Sequence, residues 1–131
     1  MSSVHVSRVI AARPQEVYDF AADPEHLGAW ASGLAEGSVR TEGDHLVVDS
    51  PMGEVVVEFA PRNEHGILDH DVTLPSGERV RNHMRVLPHP DGAEVVFTLR
   101  QGAMSDEEFA RDRAAVEADL DQLKGLLETT F

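Results

Sequence analysis

Few residues in this chain have the type and spacing to do chemistry. Asp69-His70-Asp71 sets an imidazole between two carboxylates, and Asn82 follows twelve positions after the histidine. Adjacent strand residues point to opposite faces, so this run cannot act as one chelate, and no metal site is expected. Of the seven histidines, His26, His45, His65 and His89 fall in turns or exposed positions. The chain has no cysteine, which removes disulfides, thiolate metal sites and cysteine nucleophiles together. No Gly-x-Ser-x-Gly occurs and no serine is placed beside an inward histidine, so a hydrolytic triad lacks support. Schiff-base chemistry needs a desolvated amine. Lys124, the one lysine, flanks Leu123 on a helix and reads as a solvated charge. Acid–base transfer remains, with His70 as the candidate acid or base and Asn82 able to polarise a carbonyl. No cofactor is called for.

A hairpin must position these two residues. If Pro75-Ser76-Gly77 and its flanking pair form the loop, His70 faces Asn82, Val72 faces Val80 and Leu68 faces Met84. On the other face Thr73 meets Arg79, Asp71 meets Arg81 and Asp69 meets His83. One face is then apolar around His70 and Asn82, and the other pairs opposite charges. Other registers with the same inner face weaken the charge pairing, and all of them turn His70 and Asn82 inward. A buried polar group left unsatisfied costs ~1–3 kcal/mol. The two side chains therefore bond each other or a buried water, or they hold a ligand carbonyl or hydroxyl. Burial disfavours the imidazolium, so a neutral ring is expected.

The other elements follow from changes of period. Val4 to Ala11 reads as a strand whose alternation is too imperfect to assign a buried face. Pro14 suits the first turn of a helix over Gln15 to Ala22, with Val17, Phe20 and Ala21 on one stripe. Asp23-Pro24 restarts a second short helix carrying Leu27 and Trp30. From Leu34 the period becomes two. Val39 and Thr41 lead through a Gly43-Asp44 turn to Leu46 and Val48, then through Ser50-Pro51-Met52-Gly53 to Val55, Val57 and Phe59. A looser polar connection spans Pro61 to Gly66. Ile67 to Leu74, Arg79 to Leu87 and Glu94 to Gln101 complete seven strands, whose short connections force antiparallel pairing. Ser105 and Glu108 match a capping box for a final helix. Phe109, Val116, Leu120, Leu123 and Leu127 form its apolar stripe. At about 35 Å it outreaches a strand of eight residues, about 26 Å, and can lie across the sheet.

The 131 residues fit one domain, residues 1–131, able to bury a core unaided. With 11 basic and 24 acidic residues the formal charge is -13, which repels nucleic acid and anionic lipid surfaces. No signal peptide is expected from Met1-Ser2-Ser3-Val4-His5, which carry no basic patch followed by an apolar run, and no apolar run approaches the ~20 residues that span a bilayer. Integral membrane association is not expected and a cytoplasmic location is. Nothing in the patterning fixes an oligomeric state.

The order strand, two short helices, six strands, long helix resembles the START-like (SRPBCC) superfamily. That superfamily includes birch-pollen-allergen-type proteins and polyketide cyclase/dehydrase and lipid-transport proteins. Residues Ser7 to Tyr18, leading to Asp23-Pro24 and Trp30, are similar to its opening strand, proline-led helix and following Asp-Pro and Trp. Asp119 to Glu128 is similar to its closing helix. The resemblance implies an α+β helix-grip fold, in which a seven-stranded curved antiparallel sheet grips a long C-terminal helix on its concave face.

In such a fold the curved sheet and the helix cannot meet everywhere, and a cavity remains. Its expected walls are Trp30, Val57, Phe59, His70, Val72, Asn82, Met84, Phe97, Val116 and Leu120. Three functions are then open. The first is a carrier or sensor of an apolar, lipid- or polyketide-like molecule. The second is a polyketide cyclase, dehydratase or isomerase with His70 as acid or base. Family enzymes often use further pocket Tyr, Arg, Asp or Glu side chains, and here the sole tyrosine, Tyr18, lies on the small helix. The third is a co-chaperone-like interaction domain with a vestigial pocket.

Overall fold

The computed structural model describes residues 2–31, 39–43, 45–50 and 53–130. Within them lie β1 (Ser3–Ile10), α1 (Pro14–Ala22), a 3-10 turn (Pro24–His26), α2 (Leu27–Trp30), β2 (Val39–Glu42), β3 (His45–Ser50), β4 (Gly53–Phe59), β5 (His70–Thr73), β6 (Arg79–His89), β7 (Gly92–Arg100) and α3 (Asp106–Thr130). The strands form one antiparallel sheet in the order β1-β7-β6-β5-β4-β3-β2. This is the helix-grip fold: a curved sheet with the long helix α3 on its concave side. Leu34, Asp44, Pro51 and Met52, which figured in the expected strand and turns, lie outside the described residues.

Local chemistry explains each boundary. Asp23 caps the 3-10 turn by accepting from the Glu25 backbone N–H at 2.9 Å. Ser105 and Glu108 cap each other's backbone N–H at 3.1 Å, a closed capping box at the start of α3. β1 turns Val6 and Ile10 inward, where they are buried. Arg8 stands on the same side and reaches Asp121 of α3 at 2.6 Å, which is why the alternation of β1 looks broken. β5 is shorter than expected, and Ile67 meets β6 only through an isolated bridge to Arg85. The cause is Asn63. Its Oδ1 accepts from the His65 and Ile67 N–H groups, and its Nδ2 donates to the Pro61 and Ile67 carbonyls. Tyr18 Oη accepts from the Asn63 backbone N–H at 3.0 Å, so α1 pins this loop. Gly66 (φ +70°) lies so near β6 that a Cβ there would come within 2.3 Å of the Val86 carbonyl oxygen.

The core runs from α1 beneath the sheet to the second half of α3. Ile10, Val17, Leu27, Val57, Met84, Leu120, Leu123 and Leu127 are fully buried there. α3 packs on β1 and β7 and against α2, while α1 packs on β6 and β7.

Candidate functional site

The hairpin of β5 and β6 has the expected register: His70 opposite Asn82, Asp71 opposite Arg81, Val72 opposite Val80 and Thr73 opposite Arg79. Its two faces differ in chemistry. On the convex side Asp71 accepts from Arg81 (2.7 Å) and Arg79 (2.9 Å), and Asp69 from Arg85 (2.8 Å), His83 (3.1 Å) and the Met84 N–H (3.0 Å). Hydrogen bonds from Arg81 hold the Asp71 carboxyl down to about 2, and those from Arg85 hold Asp69 well below the usual carboxylate range. These carboxylates are spent on their arginines, and His70 points away from them.

His70 lies on the concave side, only 7 % exposed. Its Nδ1 sits 3.0 Å from the Leu68 carbonyl, which can only accept, so Nδ1 carries the proton. Burial is the main cause that pushes the imidazole below its ordinary value. The neutral ring therefore presents Nε2 as a lone pair. The nearest polar partner is Asn82 Nδ2 at 3.5 Å, a long and weak contact. Phe59, opposite His70 across β4 and β5, tilts over the ring at 5.0 Å, and Phe97 of β7 meets it edge-on at 5.9 Å.

This row opens into a cavity of about 130 Å3 beneath α3. The sheet contributes Phe59, His70, Asn82, Phe97 and Leu99; α2 contributes Leu27, Trp30 and the adjoining Ala31; α3 contributes Asp112, Ala115, Val116, Asp119 and Leu120. Of the expected walls, Trp30, Phe59, His70, Asn82, Phe97, Val116 and Leu120 come together here. Val57, Val72 and Met84 do not line it. Val57 and Val72 pair with each other two residues beyond the Phe59–His70 pair. Met84 lies two residues the other way on β6, the strand on which α1 packs. Alternation assigned their face correctly, but packing elsewhere closes over them, and all three are buried core.

Asp112 is a wall residue that the sequence reading missed. It occupies the gap in the apolar stripe between Phe109 and Val116, where helical spacing calls for a hydrophobic side chain. Desolvation alone pushes its carboxyl above the usual range, with no cation among the described residues offsetting it. Trp30 is 4 % exposed, and its buried indole Nε1–H lacks an acceptor among the described residues. Lys124, expected to be a solvated charge, instead donates to the Val9 carbonyl and to Glu128, both at 2.6 Å, and ties α3 to β1. His26, in the 3-10 turn as its expected turn position implies, stacks on Phe20 with ring centroids 4.0 Å apart. Among the described residues no group of three His, Asp or Glu side chains could hold a metal ion.

The sequence matches the family model described as polyketide cyclase / dehydrase and lipid transport over residues 1–128. The chain belongs to this family. It is thereby a member of the SRPBCC superfamily. Comparison with curated proteins finds no match. Among solved structures, the Aha1 dimer from Colwellia psychrerythraea is similar at 14 % identity and a TM-score of 0.78, covering 98 % of this chain and 97 % of that one. DynU16, from the dynemicin biosynthetic locus, is similar at 18 % identity and a TM-score of 0.75, covering 99 % of this chain but 48 % of that one. Ara h 8.0201 is similar at 10 % identity and a TM-score of 0.67, with 98 % of each chain covered. At these identities the likeness establishes the shared fold. Among the described residues of this family member, no helix is long and apolar enough to cross a membrane.

Proposed function

We propose that the protein binds an apolar small molecule, of lipid or polyketide type, between the sheet and α3, as a carrier or sensor. The observation that carries this reading is the cavity itself, whose described lining is apolar apart from His70, Asn82, Asp112 and Asp119. Apolar walls with a few convergent polar groups are what a small-molecule site needs. The family's description, which includes lipid transport, supports the same reading. An interaction domain with a vestigial pocket fits less well. Its interior would be filled, whereas here a void persists, and Val80 and Leu87 are the only large apolar side chains exposed among the described residues.

A second reading has its own support. The Leu68 hydrogen bond leaves His70 Nε2 as a base inside the cavity, as a cyclase, dehydratase or isomerase step would require. One set of experiments separates the two. Protein purified from its native host is analysed by native mass spectrometry, and the purified protein is screened by thermal shift against lipids and aromatic polyketides. A co-purified mass or a ligand-dependent rise in melting temperature, without turnover, is the expected result. Turnover lost in His70→Ala with binding retained would replace carriage with catalysis. No bound mass and no shift with any ligand would overturn both.

A further inference from the structure

The cavity's size and charge narrow its occupant. A volume of about 130 Å3 is close to that of the ~150 Å3 apolar cavities that take up benzene. It falls well short of the ~300–1,000 Å3 usual for drug-sized ligands. A single ring fills it; a lipid tail or a fused polycycle would have to extend beyond it. The walls offer that ring the aromatic side chains of Trp30, Phe59 and Phe97.

The charge is one-sided. The described lining includes two carboxyl residues, Asp112 and Asp119, and no arginine or lysine. Asp112 is half-buried without a hydrogen bond or ion pair among the described residues, although Arg111 and Arg113 are its neighbours in sequence. Arg113 instead approaches Glu117 at 3.4 Å. An anionic ligand would enter beside a desolvated carboxylate, which electrostatics penalises. A cation would supply the missing counter-charge, and aromatic walls favour it further through their negative faces.

Building on the binding role above, we propose that the ligand is a small monocyclic aromatic amine. Its ring lies among Trp30, Phe59 and Phe97, and its ammonium pairs with Asp112.

The test is titration calorimetry on the full chain with three probes of nearly equal shape: benzylamine, benzyl alcohol and benzoate. Benzylamine should bind roughly tenfold tighter than the alcohol, and benzoate weakest of the three. Asp112→Asn should bring amine and alcohol to within about twofold by removing the charge-assisted contact. Glu107→Gln, a charge change at the exposed start of the same helix, should leave the order intact. Alcohol binding as tight as amine binding in the wild type would overturn the amine assignment while leaving the cavity as a binding site. Failure of all three probes to bind would overturn both.

Discussion

The two halves of α3 share one helix and one apolar stripe, yet they meet different surroundings. Leu120, fully buried, still borders the cavity, and beyond it the stripe is sealed: Leu123 and Leu127 are fully buried. This half is also laced to β1, through Arg8 to Asp121 (2.6 Å), Lys124 to the Val9 carbonyl (2.6 Å) and the Ala11 N–H to Glu128 (3.0 Å). Before Leu120 the stripe carries Phe109 and Val116, both only half-buried, with Asp112 between them, and here it roofs the cavity. The difference separates two tasks. One half holds the helix on the sheet, which leaves the other free to stand off it over the cavity.

The largest expected contrast is in packing. Leu123→Ala should cost about 2–5 kcal/mol, because a fully buried leucine leaves a cavity its neighbours cannot close. Val116→Ala, seven residues earlier on the same stripe, should cost about 1 kcal/mol or less, since its side chain already borders empty volume. Urea denaturation midpoints at constant slope measure both; equal losses would abolish the division.

Charge sharpens the comparison at the roofing half. Desolvation raises the Asp112 carboxyl in the folded chain above its ordinary 3.8, so the folded state holds that proton to higher pH than the unfolded state. Its contribution is therefore greatest below pH 3.8 and is lost as pH rises through the folded value. Asp112→Asn should melt above the wild type at pH 7, and the gap should close on acidification below pH 3.8. A variant that melts below the wild type at pH 7 would mean that the carboxylate has a partner.

His70, facing that roof, titrates with the opposite sense. Its folded value lies below 6.5, so the unfolded chain takes up the proton first. Stability from this group is complete above pH 6.5 and declines as the pH falls from there through the folded value. His70→Gln should flatten that part of the stability profile, while NMR titration of the wild-type ring reports its midpoint below 6.5. A midpoint above 6.5 would place a carboxylate against the ring.

The smallest effect belongs to the laced half. Arg8→Gln removes exposed ion pairs to Asp121 and Glu117 and should cost under about 1 kcal/mol, less still at high salt. A salt-independent loss of several kcal/mol would make this contact, rather than the buried leucines, what holds α3 down.

How legible each part was depends on whether its signal is local. The β5–β6 register could be read because apolar pairs on one face and Asp71 with Arg81 and Arg79 on the other favour the same alignment. The capping box at Ser105 and Glu108 was legible for the same reason. The buried face of β1 was not, since Arg8 stands among inward residues and its partner Asp121 is 113 positions away. Within the site, alternation gave the face of Val57, Val72 and Met84 but could not place them along the strands relative to the void, which depends on where α1, α2 and α3 settle. Asp112 carried a visible signal, a hole in a helical stripe, that resembles an ordinary solvated position until the cavity beside it is seen.

Xenon pressurisation of crystals tests the division of α3 most directly, because the gas enters apolar voids without needing the true ligand's chemistry. A xenon peak should appear under Val116, among Phe59, His70 and Phe97, with none beneath Leu123. Density free of xenon at that place, with side chains filling the space, would contradict the cavity and the function built on it.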